Sequence, residues 1–460
     1  MIRKISSLLI LTLATWLNAQ EQPVAFVDVT VVPMDKEQTL PHQTVVVVGG
    51  RITQVASAAS VKAPHGAMKI DGRGKFLMPG LADMHVHFIR PAAAGQFQPS
   101  ASSDYAQENQ ALALLYVANG VTTVRNMWGH PAVNTFAKEV DAGHILGPHN
   151  YSTGPVTDGN PSFWQGARVV ETPEQAEEAV RSDKQAGYIA VKVVDRLSKD
   201  AYQALVAAAH EQGMPVVGHV PTAVGLSGAI AARQDSIEHL TGFWEALQPD
   251  GSGAQKKSPR ELVQQADLKK LPALVQATKA ADVWNCPTLA VGNHIRRTDA
   301  VWFQELSLVP PGIVERYKKA YSFNPDDPRF SPEARALNNA IVKALHDGGA
   351  HLLLGTDAVK PSVLPGFSLQ EELEKFVATG MTPYEAIRAG TSDAAKFLHQ
   401  EKEFGVVATG RRADLLLVEA NPLEDVKNVS KRAGVMVNGH WLMEDELQQR
   451  LAALKASYQH

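Results

Sequence analysis

The chain has 460 residues, 45% of them apolar, and a formal charge of −4. That length suits one large core with an accessory part, and the absence of any long basic run gives no indication of a nucleic-acid partner. A single cysteine, Cys286, excludes an internal disulfide and a cysteine-based zinc site.

Residues 1–19 read as a secretory signal peptide. Arg3 and Lys4 precede a mostly apolar run from Ile5 to Leu17, and Ala19 offers a small residue for cleavage. The run falls short of the roughly 20 residues a membrane span needs, and no cysteine follows it for lipid attachment. Export to a periplasm is expected, with a mature chain from near Gln20 that has no membrane span. Short β-branched strands come next, at 27–32 and 44–48, punctuated by Gly49-Gly50 and Asp71-Gly72-Arg73-Gly74. A second strand-rich region near the end, at 413–418 and 434–439, includes Asn438-Gly439 as a hairpin turn. Residues 20–79 and 405–445 thus predict a small β-sandwich built from both chain ends, and residues 446–460 a helical tail.

The middle, residues 80–404, alternates strand and helix. Strand candidates at 81–88, 122–127, 149–154, 188–194, 215–220, 236–240, 283–289 and 351–357 are separated by amphipathic stretches, among them 104–118, 173–186, 199–212 and 332–347. This pattern predicts an α/β fold with a parallel (β/α)8 TIM barrel, a doubly wound sheet being the alternative. Catalytic groups then belong at the C-terminal strand ends. The connections 241–282 and 290–350 far exceed a usual βα link and predict lids or specificity loops.

Chemistry gathers at those strand ends. In Leu81-Ala82-Asp83-Met84-His85-Val86-His87, the two histidines sit two apart on a strand and share a face. Such a pair is either half of a metal site or part of a barrel core. Lys192 interrupts the apolar strand Ile189-Ala190-Val191-Lys192-Val193-Val194. It either pairs with Asp195 or, neutral, adds carbon dioxide to become a carbamate that bridges two cations. His219 and His239 end the next two strands, and Asp357 ends the last, after Leu352-Leu353-Leu354-Gly355-Thr356. Glu238, one residue before His239, is expected on the opposite face in a structural role. Four imidazoles, one bridging anion and one carboxylate suit two divalent ions, zinc foremost, with iron, cobalt, nickel or manganese also compatible.

In this arrangement the chain resembles the amidohydrolase superfamily, in its two-metal branch with a carboxylated lysine. It is similar to imidazolonepropionase-related peptidases and amidases, a group including Xaa-Pro and Xaa-Arg dipeptidases and ochratoxin-hydrolysing amidases. The shared motifs run from Met78-Pro79-Gly80 through His87, Gly120–Arg125, Ile189–Lys192, Val217-Gly218-His219, Ser236–His239, Gly355-Thr356-Asp357 and Gly380–Ile387 to Gly410–Leu415. The resemblance implies that His85, His87 and Asp357 hold the more buried metal and that His219 and His239 hold the more exposed one. Carboxylated Lys192 and a hydroxide would bridge them. It further implies that Asp357 takes the hydroxide proton and returns it to a leaving amine, so that a C–N amide or peptide bond is cut. The substrate expected is a dipeptide or an N-acyl amino acid; relatives often assemble as homo-oligomers. The chain departs from the pattern at Met127-Trp128-Gly129-His130, where many relatives carry a shorter acidic-glycine turn, and Trp128 and His130 are expected to shape the pocket.

Cations for a substrate carboxylate are sought in Arg125, His130, His294 and Lys360, with Arg296 also near. Arg125 is equally suited to a core ion pair. Other readings are a lactone or cyclic-amide hydrolase on the same site, a mononuclear deaminase and a non-catalytic binding protein. A deaminase would place a glutamate shortly after His219, where Val220-Pro221-Thr222-Ala223 stand, and would leave Lys192 without a task. A binding protein would tend to lose ligands, and none is missing.

Overall fold

A computed structural model describes residues 22–88, 105–292, 300–320, 327–360 and 363–458. The expected signal peptide, His294 and Arg296 lie outside the described residues. Among those residues, no helix is long and apolar enough to cross a membrane.

Both chain ends enter one mixed sheet. It joins the early strands Val24–Val31, Leu40–Val48, Arg51–Ser57, Met68–Asp71 and Phe76–Pro79 to the late strands Leu415–Val418, Arg432–Val437 and His440–Met443. The seam is the antiparallel pairing of Phe76–Pro79 with Leu415–Val418. Val24–Val31 serves two parallel partners in turn, Met68–Asp71 along its first half and Phe76–Pro79 at its end. The pairing therefore yields one eight-stranded hydrogen-bonded sheet in which the two ends are continuous. Phe26, Val29, Val45, Ile52, Leu415, Leu417 and Met436 share its core. Asn438 and Gly439, with φ of 51° and 76°, connect Val437 to His440 as the paired positive φ of a two-residue hairpin turn requires.

Between these ends the parallel strands follow in the predicted order: Leu81–Val86, Val121–Asn126, His149–Ser152, Val191–Val193, Val216–Gly218, Ser236–Glu238, Trp284–Cys286 and His351–Leu352. They lie in two sheets, and backbone hydrogen bonds cross both gaps. Ile189 N donates to Ser152 O (3.0 Å) and Gly154 N to Ala190 O (2.8 Å) on one side; Met84 N donates to Leu354 O (2.9 Å) and Asp357 N to His85 O (2.7 Å) on the other. Ala82, Met84, Met127, Ala190, Val217, Cys286 and Leu353 form one core cluster with Phe397 and Phe404 from the segment after the last strand. The strands are shorter than expected because several end in turns: His239, Thr288 and Asp357 all have left-handed φ, 59°, 51° and 66°. Two short strands that the sequence did not reveal, Thr157–Asp158 and Arg168–Val169, extend the larger sheet.

Helices start where local chemistry lets them. Thr172 and Gln175 cap Pro173–Gln185 reciprocally, with proline in the first turn, and Ser331 caps Pro332–Asp347. The long connections are largely helical: 241–282 carries Phe243–Ala246, Pro259–Gln264 and Leu271–Ala280, and 290–350 carries Ala300–Leu306, Pro311–Ala320 and Pro332–Asp347.

Asp414 ties the terminal sheet to the parallel strands. It accepts from Arg412 Nε and from the Asn438 N–H (3.1 Å), and His149 Nε2 lies 3.5 Å from it. His149 also contacts Asp141 at 2.7 Å. Burial alone would lower the imidazole pKa, but Asp414 and Asp141 outweigh burial and raise it. A raised folded-state pKa gives stability that is complete below the unfolded value and lost as pH rises through the folded one. His149→Gln is therefore expected to destabilise the protein most at about pH 6 and progressively less toward about pH 9. Urea midpoints across that range check this, and a deficit that grows with pH would refute it.

Candidate active site

His85 and His87 emerge where the first parallel strand shifts register against its neighbour, between Asp83 and Val86. Asp83 is fully buried and fastens this strand to the last one, accepting from Thr356 N (2.9 Å) and Thr356 Oγ1 (2.6 Å). Burial raises its pKa to about 7 despite those hydrogen bonds. With the strands so fixed, His87 Nε2 lies 3.0 Å and His85 Nε2 3.6 Å from Asp357 Oδ1. His239 Nδ1 lies 3.7 Å from Asp357 Oδ2.

Glu238 does not point away from this cluster, as strand alternation suggested. It is fully buried, and its Oε2 accepts from His85 Nδ1 at 2.7 Å. The reason is the left-handed His239: the regular strand stops at Glu238, and the turn brings His239 inward beside it. Arg125, a candidate substrate cation, is instead a core residue. It is fully buried, with Nη2 2.8 Å from Glu238 Oε1, Nε 2.6 Å from Met84 O and its guanidinium 4.9 Å from the Phe397 ring centroid. A guanidinium buried this way needs a carboxylate partner, and Glu238 supplies it.

The other histidines have partners of their own. His219 Nδ1 donates to Asp195 Oδ1 (2.8 Å), so Asp195 serves His219 rather than Lys192. His239 Nδ1 meets Thr288 Oγ1 at 2.7 Å. Its ring centroid lies 4.5 Å from that of His85 and 5.2 Å from that of His219. Lys192 is 2% exposed, and burial lowers its pKa to about 8 against the pull of Glu238 and Asp357. Gly218 makes the approach of its strand to the lysine strand feasible: its φ is +134°, and a Cβ would sit 2.0 Å from Val193 O.

The donor set fits divalent cations. Desolvation holds His85 and His239 well below the usual imidazole range, so both are neutral. His85 Nε2 is buried and has no hydrogen-bond partner among the described residues. Its neighbours are other donors: ligand atoms of His85, His239 and Asp357 lie within 4.8 Å of one another. Burial would raise the Asp357 carboxyl, but the Lys360 ammonium beside it and the hydrogen bond from His87 outweigh burial and keep the group ionised. A buried acceptor with nothing to accept from is costly, and a cation would satisfy it. The carboxylate–histidine arrangement at Glu238 and Asp195 is the outer shell that metal-binding imidazoles require.

His219, His239, Asp357 and Lys360 open onto a cleft of about 840 Å³. Its outer wall comes from the two long connections, including Trp244, Glu245, Lys257, Phe330, Arg335 and Asn338. Of the cations sought from sequence, Lys360 is in this cleft and contacts Asp357 Oδ2. His130 caps the helix Pro131–Asp141 by accepting from Ala132 N (3.1 Å), a structural use of its ring. Trp128 lies one layer behind the cleft, edge-on to Trp164, with centroids 6.0 Å apart. Asp83, Glu238, Asp195 and Thr288 were not singled out as site residues from sequence. Asp83 and Glu238 did carry a signal, since each is a carboxylate within an apolar strand, two residues and one residue before a histidine respectively.

The amidohydrolase family model matches residues 76–442, and the chain belongs to that family. Ochratoxinase of Aspergillus niger is 24% identical over 402 residues, covering 76% of this chain and 72% of that protein. A solved structure from Bifidobacterium longum, provisionally assigned as a prolidase, has a TM-score of 0.68 at 26% identity and covers 94% of this chain and 99% of its own. A Xaa-Pro dipeptidase solved with methionine in its active site has a TM-score of 0.67 at 21% identity, covering 92% of this chain and 100% of its own. The chain is a hydrolase acting on carbon–nitrogen bonds.

Replacing Glu238 by Gln is expected to weaken Zn2+ binding about 10–100-fold, because His85 loses the carboxylate that fixes its tautomer. Equilibrium dialysis with metal analysis, on protein whose circular dichroism matches wild type, checks this. Unchanged affinity would remove Glu238 from the metal-supporting set.

Proposed function

We propose that the protein hydrolyses an amide or peptide bond of a small substrate, a dipeptide or an N-acyl amino acid, at a centre for two divalent cations. The observation that carries this is the unpartnered, buried His85 Nε2 facing His239 and Asp357, with buried Lys192 in the same interior. The hydrogen bonds across both sheet gaps support a closed (β/α)8 barrel with this cage at its mouth. His85, His87 and Asp357 would hold the inner cation, and His219 and His239 the outer one. Lys192 would bridge as a carbamate, for which its lowered pKa leaves neutral amine available: the amine attacks carbon dioxide and releases one proton. Zinc is the cation we favour, since imidazole and carboxylate donors suit it.

When bound, the cations would lower the pKa of a water to about 7 and polarise the scissile carbonyl. The chain's own part is positional and acid–base. Asp357, ionised and buried, accepts the proton of the attacking water. It returns that proton to the amine nitrogen as the C–N bond breaks, acting first as base and then as acid. Glu238, Asp195 and Thr288 keep the imidazoles turned toward the cage, and the cleft walls hold the rest of the substrate. Lys360 is a cation beside Asp357, placed for a substrate carboxylate. The basic, apolar start of the chain supports a periplasmic enzyme.

Asp357→Asn is expected to lower kcat by about 10²–10⁴-fold while the protein stays folded. A hydrolysis screen over dipeptides and N-acyl amino acids, varying the residue on the carboxyl side, supplies the substrate for that comparison. Near-normal turnover in the variant would contradict the proton-transfer role. Lys192→Met is expected to abolish hydrolysis and any stimulation of metal loading by bicarbonate; bicarbonate-dependent loading that persists without Lys192 would exclude the carbamate.

A further inference from the structure

After the strand His149–Ser152 the chain detours through residues 157–170, adding the short strands Thr157–Asp158 and Arg168–Val169. Thr157 pairs with Val193, the neighbour of Lys192. Buried Asp158 frames the detour. Its Oδ1 accepts from Gly159 N (2.9 Å) and Arg196 N (2.7 Å), and its Oδ2 accepts from Ser162 Oγ (2.6 Å). Ser162 Oγ in turn accepts from Trp164 N at 3.0 Å. Gly159 allows this contact, since a Cβ there would lie 2.0 Å from Arg196 O. The frame delivers one indole to the site. Trp164 Nε1 donates to Asp195 Oδ2 at 2.9 Å, while Asp195 Oδ1 accepts from His219. The same ring stands edge-on to His219, with centroids 5.7 Å apart, and forms part of the cleft wall.

We propose that Trp164 is a positioning residue that couples the wall of the substrate cleft to the outer cation site. It rests on the two-cation reading above. Each oxygen of Asp195 has its own donor, so the carboxylate cannot rotate without breaking both hydrogen bonds. Its plane, and with it the direction of His219 Nε2, is set from the Trp164 side. A substrate group pressed against the indole therefore acts on the same ring that orients a metal-binding imidazole.

Zn2+ titration of the full chain by dialysis and metal analysis tests this, together with kinetics on the substrate found by the screen. Trp164→Phe keeps a ring in the wall but removes the donor. Binding of the second Zn2+ equivalent is expected to weaken about 10-fold, the low end of what outer-shell changes cause. The first equivalent should bind as in wild type; kcat should follow outer-site occupancy, and KM should change little. Trp164→Ala should weaken the second equivalent similarly and also raise KM. Two equivalents in wild type with an unaltered second affinity in Trp164→Phe would overturn the proposal alone. A wild-type chain that takes up a single equivalent would overturn the two-cation reading, and the proposal with it. Should Trp164→Ala fail to fold, Trp164→Phe carries the test.

Discussion

The buried carboxylate of Glu238 is the constraint on which the centre depends. A carboxylate with no exposure costs several kcal/mol unless it is fully paired. Glu238 is paired three ways: to Arg125, to Ser236 and to His85. Arg125 and His85 sit on two other strands and Ser236 on Glu238's own, so one network fixes the spacing of three strands and the tautomer of His85. Arg125 completes the network from below, against Phe397 and the Met84 carbonyl. Stability and metal geometry are therefore one requirement in this part of the molecule.

Outside that network the labour divides. Strands and the turns that follow them supply His85, His87, Lys192, His219, His239 and Asp357, and the long connections supply the outer part of the cleft wall. Left-handed turns at His239, Thr288 and Asp357 sit where the two meet. Conformations of this kind cost about 1–3 kcal/mol each and persist where the surroundings enforce them. Here the enforcement comes from Thr288 on His239 and from Asp83 on Thr356.

The eight parallel strands were legible because buried parallel strands are short apolar runs that stop at polar residues. The helix at Pro332–Asp347 and the hairpin at Asn438-Gly439 fell where proline, serine and glycine chemistry puts them. Glu238 was misjudged because strand alternation was extended across a residue that leaves the strand conformation, and sequence carries no mark of a left-handed histidine. Arg125 could be read as pocket or core, and only the location of its partner decides. Thr157–Asp158 and Arg168–Val169 were invisible, since two-residue strands have no periodicity. That both strand-rich ends belong together was legible, but the seam between Phe76–Pro79 and Leu415–Val418 was not, a contact between segments that nothing local could announce.

That last contact sets the order of assembly. Val24–Val31 is made early, yet the sheet it belongs to lacks Leu415–Val418 until nearly the whole polypeptide exists, and Arg51 finds Glu403 only 352 positions later. Loop-closure entropy falls before such pairings reward it, so chains rich in them fold slowly. Until then Phe76–Pro79, apolar and paired only with Val24–Val31, is an open edge that must stay unaggregated through the delay. Completion of the terminal sheet is thus a late checkpoint: a chain cut short before its final strands can build much of the site and still leave the edge at Phe76–Pro79 exposed.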